Sequence, residues 1–374
     1  MSARKIIFLA TEDWFVRSHF LPLLARARAD GFEVVVAARQ SGPLSSIEGV
    51  RLIDLPFVRR SLAPGDVWRE ARAVRAMLAA EKPELVHAIA LKPIVLQLLA
   101  GSATPSVLAL TGRGYLEARG GWRQIVLAAL AKRLRRAVAS HGAVLLTENA
   151  ADRAWVEGGA SLPDARVLMM PGAGVSLTVF ETSSEPPEPL VVGIVARLVR
   201  SKGIDLAVAA ITRLRAAGAP IELHVAGEPD AGNPDHVSDT QIAAWRAVPG
   251  VALHGRVGNV NGFWRHAHIA CLPSRGGEGL PRALLEAAAC GRPLVTTATP
   301  GCADFVVDRV TGLVVARENV EALAAAFASL SSDAGLRMRM GAAARARVEA
   351  HYTEQHAADV ASEAWRRALA AANA

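Results

Sequence analysis

IACLPSRGGEGLPRALLEAAACGRPLVTT, Ile269 to Thr297, decides the fold. A short apolar run opens it, a glycine-rich turn follows, a helix-forming stretch occupies Pro281 to Cys290, and a second apolar run closes it. Strand, helix, strand in so few residues is the signature of parallel strands joined by a crossover helix. Ala283, Leu284, Leu285, Ala287, Ala288, Ala289 and Cys290 predict a helix packed on most sides. Glu286 stands in their midst. A buried acid must be paired, hydrogen-bonded or neutralised, because its desolvation otherwise costs several kcal/mol or more.

The same alternation extends in both directions. LVVGIVA, IELHVAG, VALHG, IACLPS, PLVTT and GLVV form a second series of strands, and KIIFLA, EVVVAA, ELVHAIA, SVLALT and AVLLTE a first, with helices such as 19–30 and 67–80 between them. At 374 residues the chain exceeds what one core holds. The polar, proline-rich ETSSEPPEP, residues 181–189, reads as a linker. The expected organisation is therefore α/β: a domain over 1–180, a linker over 181–189, a second domain over 190–354 and a closing helix in 355–374, about His356 to Ala371. Two doubly wound parallel sheets would face each other across a cleft, with ligands beyond the carboxyl ends of the strands.

Composition limits the function. The chain is 51% hydrophobic and 21% charged, suited to large cores and not to disorder. Cys271, Cys290 and Cys302 form no metal-ligand spacing and read as reduced core thiols of a cytoplasmic protein. MSARKIIFLA reads as a first strand and not as a secretion signal, and no run is long enough to span a membrane. The net charge of +7 is concentrated: residues 51–150 carry 15 Lys and Arg against 7 Asp and Glu. Within 122–136, Lys132, Arg133, Arg135 and Arg136 interrupt an apolar helical pattern. That suits peripheral docking on an anionic membrane, on its cytoplasmic face. A solvated helix face whose apolar side packs on its own sheet fits equally. Nucleic acid is not expected, since no aromatic residues interleave the basic segment and no recognition motif accompanies it.

Polar residues gather at the predicted strand ends of the second half. RLVRSKG places Arg197 and Lys202 ahead of a helix, where together they could hold a diphosphate. In RGGEGLP the glycines let the backbone approach a ligand, Pro281 suits a first helical turn, and the amides of Gly279 and Leu280 would face an anion. Glu278 and Glu286 lie eight residues apart, about 12 Å if helical, roughly the span of a sugar, diphosphate and ribose. Glu278 would then meet sugar hydroxyls and Glu286 the ribose. The structural alternative is that Glu278 complements the helix dipole and Glu286 pairs with a nearby Arg. Neither a P-loop nor a GxGxxG dinucleotide fingerprint is present.

ARLVRSKG, CLPSRGGEGLPRALLEAAACGRPLVTT, GCADFVVDRVTGLVV and MGAAARARV together resemble the retaining family 4 glycosyltransferases of the GT-B fold (glycosyltransferase group 1). EDWFVRSHFLPLLARARADGFEV, ELVHAIALKP and ALTGRGY resemble its capsular, surface-polysaccharide and lipid-linked oligosaccharide branch of bacterial enzymes. The resemblance implies retaining transfer of a sugar from a nucleotide-diphosphate sugar, UDP-linked above all, to a glycan or polyprenyl-diphosphate acceptor. It places the E-x7-E element on Glu278 and Glu286 and the diphosphate cations on Arg197 and Lys202. The base is expected at Gly255, Arg256 and Val257, and the closing helix against the first domain. No metal or other cofactor is expected, since no Asp-x-Asp occurs to hold one.

The chain also departs from that pattern. Thr111, Gly112, Arg113 and Gly114 stand where many members carry a histidine facing the donor sugar, leaving His19 and His87 as further first-domain candidates for acceptor contacts. His268 replaces an acidic residue, and GNVN replaces an acidic base loop, so donor base and sugar stay open. Other activities with such carboxylates are a sugar-nucleotide epimerase or a phosphorylase with a pyridoxal lysine. A non-catalytic nucleotide-sugar sensor at the membrane is a fourth reading.

Overall fold

The computed structural model describes residues 4–40, 47–58, 61, 63–113, 122–140, 142–233 and 235–372. The chain divides into two compact units. One comprises residues 1–173 with 354–374, the other 174–353.

The first unit is built on seven parallel strands: β1 (Arg4–Glu12), β2 (Phe32–Arg39), β3 (Arg51–Asp54), β4 (Leu85–Ile89), β5 (Ser106–Leu110), β6 (Val144–Thr147) and β7 (Val167–Met169), in the order β3-β2-β1-β4-β5-β6-β7. Ile6, Ile7, Phe8 and Leu9 are fully buried, as an interior parallel strand covered by helices on both faces requires. The helix expected over 19–30 is broken at Phe20 into Asp13–His19 and Leu21–Ala29, with Pro22 in the first turn of the second. The terminal helix Glu354–Ala372 belongs to this unit. Its Trp365 is buried, packs edge-on against Phe8 and donates from Nε1 to His87 Nδ1 at 2.8 Å. Arg26 pairs with Asp359, and Ser362 donates to Asp30.

The second unit repeats the plan with six parallel strands: β8 (Leu190–Val195), β9 (Ile221–Ala226), β10 (Val251–Gly255), β11 (Ile269–Leu272), β12 (Leu294–Thr297) and β13 (Gly312–Val315), ordered β10-β9-β8-β11-β12-β13. In both sheets the order reverses between two central neighbours, β1 and β4 in the first and β8 and β11 in the second. At such a switch point successive loops leave in opposite directions and open a crevice.

The stretch 181–189, expected as a linker, lies within the second unit. Arg337 forms a forked ion pair with Glu185, Arg292 donates to Ser183 and to the Ser184 carbonyl, and Arg345 to the Phe180 carbonyl. The change of unit falls at Ala173 and Gly174 instead. Among the described residues no helix is long and apolar enough to cross a membrane.

Candidate active site

The loops after β8 and β11 converge at the second unit's switch point. After β8 the chain runs through Arg197 into a short 3-10 turn, Arg200–Lys202, and then the helix Ile204–Ala216. Gly203 joins turn and helix in the left-handed region, φ +68°. A Cβ there would lie 1.9 Å from the Pro273 carbonyl oxygen of the loop after β11, so only glycine permits this approach. Glycine serves again after β12, where a Cβ on Gly301 would lie 1.7 Å from the Gly279 carbonyl oxygen.

Across the first contact, Lys202 Nζ donates to Glu278 Oε1 at 2.6 Å, and the buried Ser274 hydroxyl donates to the same oxygen at 3.1 Å. Both charged side chains are mostly covered, 17% and 12% exposed. Arg197 is half exposed and pairs with Asp230 from the loop after β9. Asp235 of that loop accepts from the Ser201 amide at 3.0 Å. Arg275 bridges Asp205 bidentately at 2.7 and 2.8 Å and reaches Glu318 after β13. Asp230, Ser274, Asp205 and Arg275 were not singled out in the sequence. Asp230 could have been, since it too follows a strand's carboxyl end.

Glu278 is not helical. The helix spans Arg282–Ala289 with Pro281 as its N-cap, so Glu278, Gly279 and Leu280 lie in the preceding loop and the 12 Å helical rise between the glutamates does not apply. Proline, lacking an N–H, is accepted at the entry to a helix and sets that boundary. Glu286 is buried, as expected, and Arg282 Nε donates to its Oε1 at 2.8 Å. Burial raises its pKa above the ordinary carboxylate value against the opposing pull of Arg282. The pairing foreseen as the structural alternative is thus present.

Gly255, at φ +66°, accepts from the Gly227 amide at 2.7 Å and begins the turn holding Arg256 and Val257. That turn follows β10, the edge strand two places from β8.

The first-unit candidates separate. His87 is fully buried on β4, stacked on Phe8 beneath Trp365, and desolvation lowers its pKa to about 3. It is a neutral core residue that holds the terminal helix and has no opening to a ligand. His19 ends the helix Asp13–His19 and is partly exposed, its Nδ1 2.6 Å from Ser18 Oγ. Thr111, Gly112 and Arg113 follow β5; Arg113 Nε donates to the buried Asp152 at 2.8 Å. Gly114 lies outside the described residues.

The second unit is doubly wound, with cations and carboxylates gathered at its switch point, the place where such sheets hold ligands. Residues 177–347 match the family model of the glycosyl transferases group 1, and residues 16–173 that of the glycosyl transferase 4-like domain. The chain belongs to this glycosyltransferase family. Over 165 residues it is 29% identical to the capsular polysaccharide biosynthesis glycosyltransferase CapM of Staphylococcus aureus, covering 44% of this chain and 43% of CapM. A D-inositol 3-phosphate glycosyltransferase of Kribbella flavida is 42% identical over 82 residues, 22% of this chain and 19% of that one. The chain thus spans less than half the length of these curated relatives. In structure it is similar to sucrose-phosphate synthase of Thermosynechococcus elongatus, with TM-score 0.82, 19% identity and 98% and 100% of the two chains covered. It is also similar to HepE of Anabaena, solved with UDP and glucose, with TM-score 0.76, 18% identity and 97% and 99% covered. At these identities the likeness is one of fold.

Proposed function

We propose that the chain is a retaining glycosyltransferase that takes a sugar from a nucleotide-diphosphate sugar, a UDP-sugar in the first place. The acceptor is a glycan or lipid-linked sugar in surface polysaccharide synthesis at the cytoplasmic side of the membrane. The Lys202–Glu278 pair at the switch point, 2.6 Å apart with Arg197 on the neighbouring loop, carries this reading. A phosphate-binding cation beside a carboxylate suits a ligand that joins a diphosphate to a hydroxyl-rich sugar. The capsular relative and the UDP-bound neighbour point the same way.

In this reading Lys202 and Arg197 hold the diphosphate, Glu278 and the Gly279–Leu280 backbone the sugar, Glu286 the ribose, and Gly255–Val257 the base. The bond from the anomeric carbon to phosphate breaks as the acceptor oxygen bonds the same face of that carbon. The acceptor proton passes to the leaving phosphate oxygen. The two cations neutralise the charge that develops there, so no metal ion is required; losing one such donor costs about 100- to 1,000-fold in rate.

Thermal shift with a panel of nucleotides and nucleotide sugars tests the site. A bound ligand at a hundredfold excess over Kd stabilises by about 2.7 kcal/mol. A uridine or guanosine diphosphate compound should raise the melting temperature of the native chain and far less that of Lys202→Ala. If no nucleotide shifts the native chain, the donor site is wrongly assigned.

A further inference from the structure

In the first unit, a groove of about 400 Å³ lies beside the helices Pro64–Glu81 and Leu91–Ala100, walled by Pro64, Val67, Trp68, Ala71 and Leu99 with Arg72 and Arg75 at its edge. Two of its apolar side chains face water: Trp68 is 63% exposed and Leu99 38%. Arg72 stacks over the Trp68 ring at 4.6 Å. Arg75 donates from Nε to the Ala100 carbonyl at 2.7 Å. From the other side Arg133, on the helix Trp122–Ser140, donates to the Leu98 carbonyl at 2.8 Å. Leu99 is therefore flanked by guanidinium groups from two helices. Lys132 adjoins Arg133, and Ile125, two turns earlier on the same helix face as Lys132, is 74% exposed.

Two observations identify the occupant. The first is charge. Arginines elsewhere are largely matched by carboxylates, as at Arg26, Arg39, Arg51, Arg153, Arg275 and Arg337. Arg72, Arg75, Lys132 and Arg133 have no carboxylate partner among the described residues. Between Leu85 and Thr147 the sequence contains a single acid, Glu117. The second is the fate of the apolar stripe on the basic helix. Leu127, Ala131, Leu134, Ala137 and Val138 are buried in the unit's own core, and Arg135 turns inward to the Glu157 carbonyl. Apart from Ile125 the apolar stripe of that helix is committed to the core, so the hydrophobic part of a contact comes from Trp68, Leu99 and Ile125. An exposed tryptophan and scattered aliphatic side chains ringed by unmatched cations complement an anionic bilayer surface, where indole sits at the headgroup level and basic residues meet phosphates.

We infer that the face formed by Trp68, Arg72, Arg75, Leu99, Lys132 and Arg133 docks the protein on anionic phospholipid. It widens the basic segment 122–136 into a composite surface of three helices and does not depend on the donor assignment.

Flotation of the full chain with phosphatidylglycerol–phosphatidylcholine vesicles, against phosphatidylcholine alone, tests it. Arg72→Gln and Lys132→Gln remove charge without removing a hydrogen bond within the described protein, so the melting temperature should hold. Each charge near an anionic surface contributes about fivefold to partitioning, so the double variant should bind about 25-fold more weakly. Brominated lipid should quench the tryptophan fluorescence of the native chain, and measurably less of it in Trp68→Phe. Equal binding to neutral vesicles, native partitioning of the double variant, or no vesicle binding at all would each overturn the inference, the last turning attention to an acidic protein partner. Donor binding, read by thermal shift in the same samples, should be unchanged by these variants.

Discussion

Gly203→Ala probes how finely the two site loops must be apposed. Two costs are separable. A non-glycine residue at φ +68° costs about 1–2 kcal/mol, which for a unit of this size lowers the melting temperature by a few degrees. The added methyl would also lie 1.9 Å from the Pro273 oxygen, whereas real Cβ contacts stay beyond 3.0 Å, so the loop after β11 must retreat by about 1 Å or more. That retreat opens the Lys202–Glu278 contact, now 2.6 Å. A misplacement of about 1 Å costs on the order of 100-fold in rate. Gly218→Ala is the control: its φ of +89° carries the same backbone strain, with nothing within 4 Å of the new methyl. The assay is nucleotide-induced thermal shift together with kcat/KM for sugar transfer. Both variants should lose a few degrees of stability, and only Gly203→Ala should lose kcat/KM by about two orders of magnitude. If Gly203→Ala binds nucleotide and turns over like Gly218→Ala, the apposition of these loops is not what the site needs.

Glu286→Gln should separate ligand service from packing. Burial raises the pKa of Glu286, so its contribution to stability is present below the ordinary carboxylate range and lost as pH rises through the shifted value. The variant should accordingly melt at or above the native chain at neutral pH, converge with it in acid, and lose nucleotide-induced stabilisation; a drop in unliganded melting temperature at neutral pH would mark a structural acid. His87 has the opposite sign. Its neutral form is favoured in the fold, so its contribution is present above 6.5 and lost as pH falls toward about 3. Combining His87→Leu with Trp365→Phe should flatten the acid side of the melting curve, and an unchanged acid slope would exclude this residue as its origin. Cys290 and Cys302, both pushed up to about 12 by burial, and Cys271, raised well above the ordinary thiol value by burial, should resist alkylation in the native state at neutral pH and react on unfolding.

What could be read in the sequence follows from where each residue's partners lie. Interior parallel strands announce themselves as unbroken apolar runs, and all of those read from the chain are present. Two edge strands escaped: Arg51–Asp54 is exposed at both ends and has no apolar run to mark it, and Val167–Met169, though apolar, is only three residues long. Arg197, Lys202 and Glu278 were visible because strand ends in a doubly wound sheet are where polar residues gather. Arg275 was not, because its carboxylates stand 70 and 43 residues away and it reads locally as one more surface cation. The same long-range pairing turned 181–189 from a linker into a strap, since Glu185 is held by a residue 152 positions later. The helical span between the glutamates failed for a local reason, the helix boundary at Pro281.

In the structure Lys202 pairs with Glu278, Glu286 with Arg282 and Arg197 with Asp230. The site is neutralised from within, so a donor exchanges partners and does not confront bare desolvated ions. For the half-exposed Arg197 that exchange costs little, because pairs open to solvent are worth about 0–1 kcal/mol. For Glu286 it relieves a strained arrangement. Arginine precedes the acid by four residues, the weaker orientation along a helix, and burial disfavours the charge that the arginine supports. A leucine or methionine would fill the same volume with no desolvation cost. Burial disfavours the charged carboxylate there, and a ribose diol offering two hydroxyl donors would supply the hydrogen bonds that burial withholds. Removing one member of any of these pairs leaves the other exposed to a new environment, so single substitutions overstate its role in binding. Coupling energies from double substitutions, Lys202 with Glu278 measured with and without nucleotide, isolate the term. A coupling that shrinks when nucleotide binds is the expected result, because the ligand then takes the place of the partner.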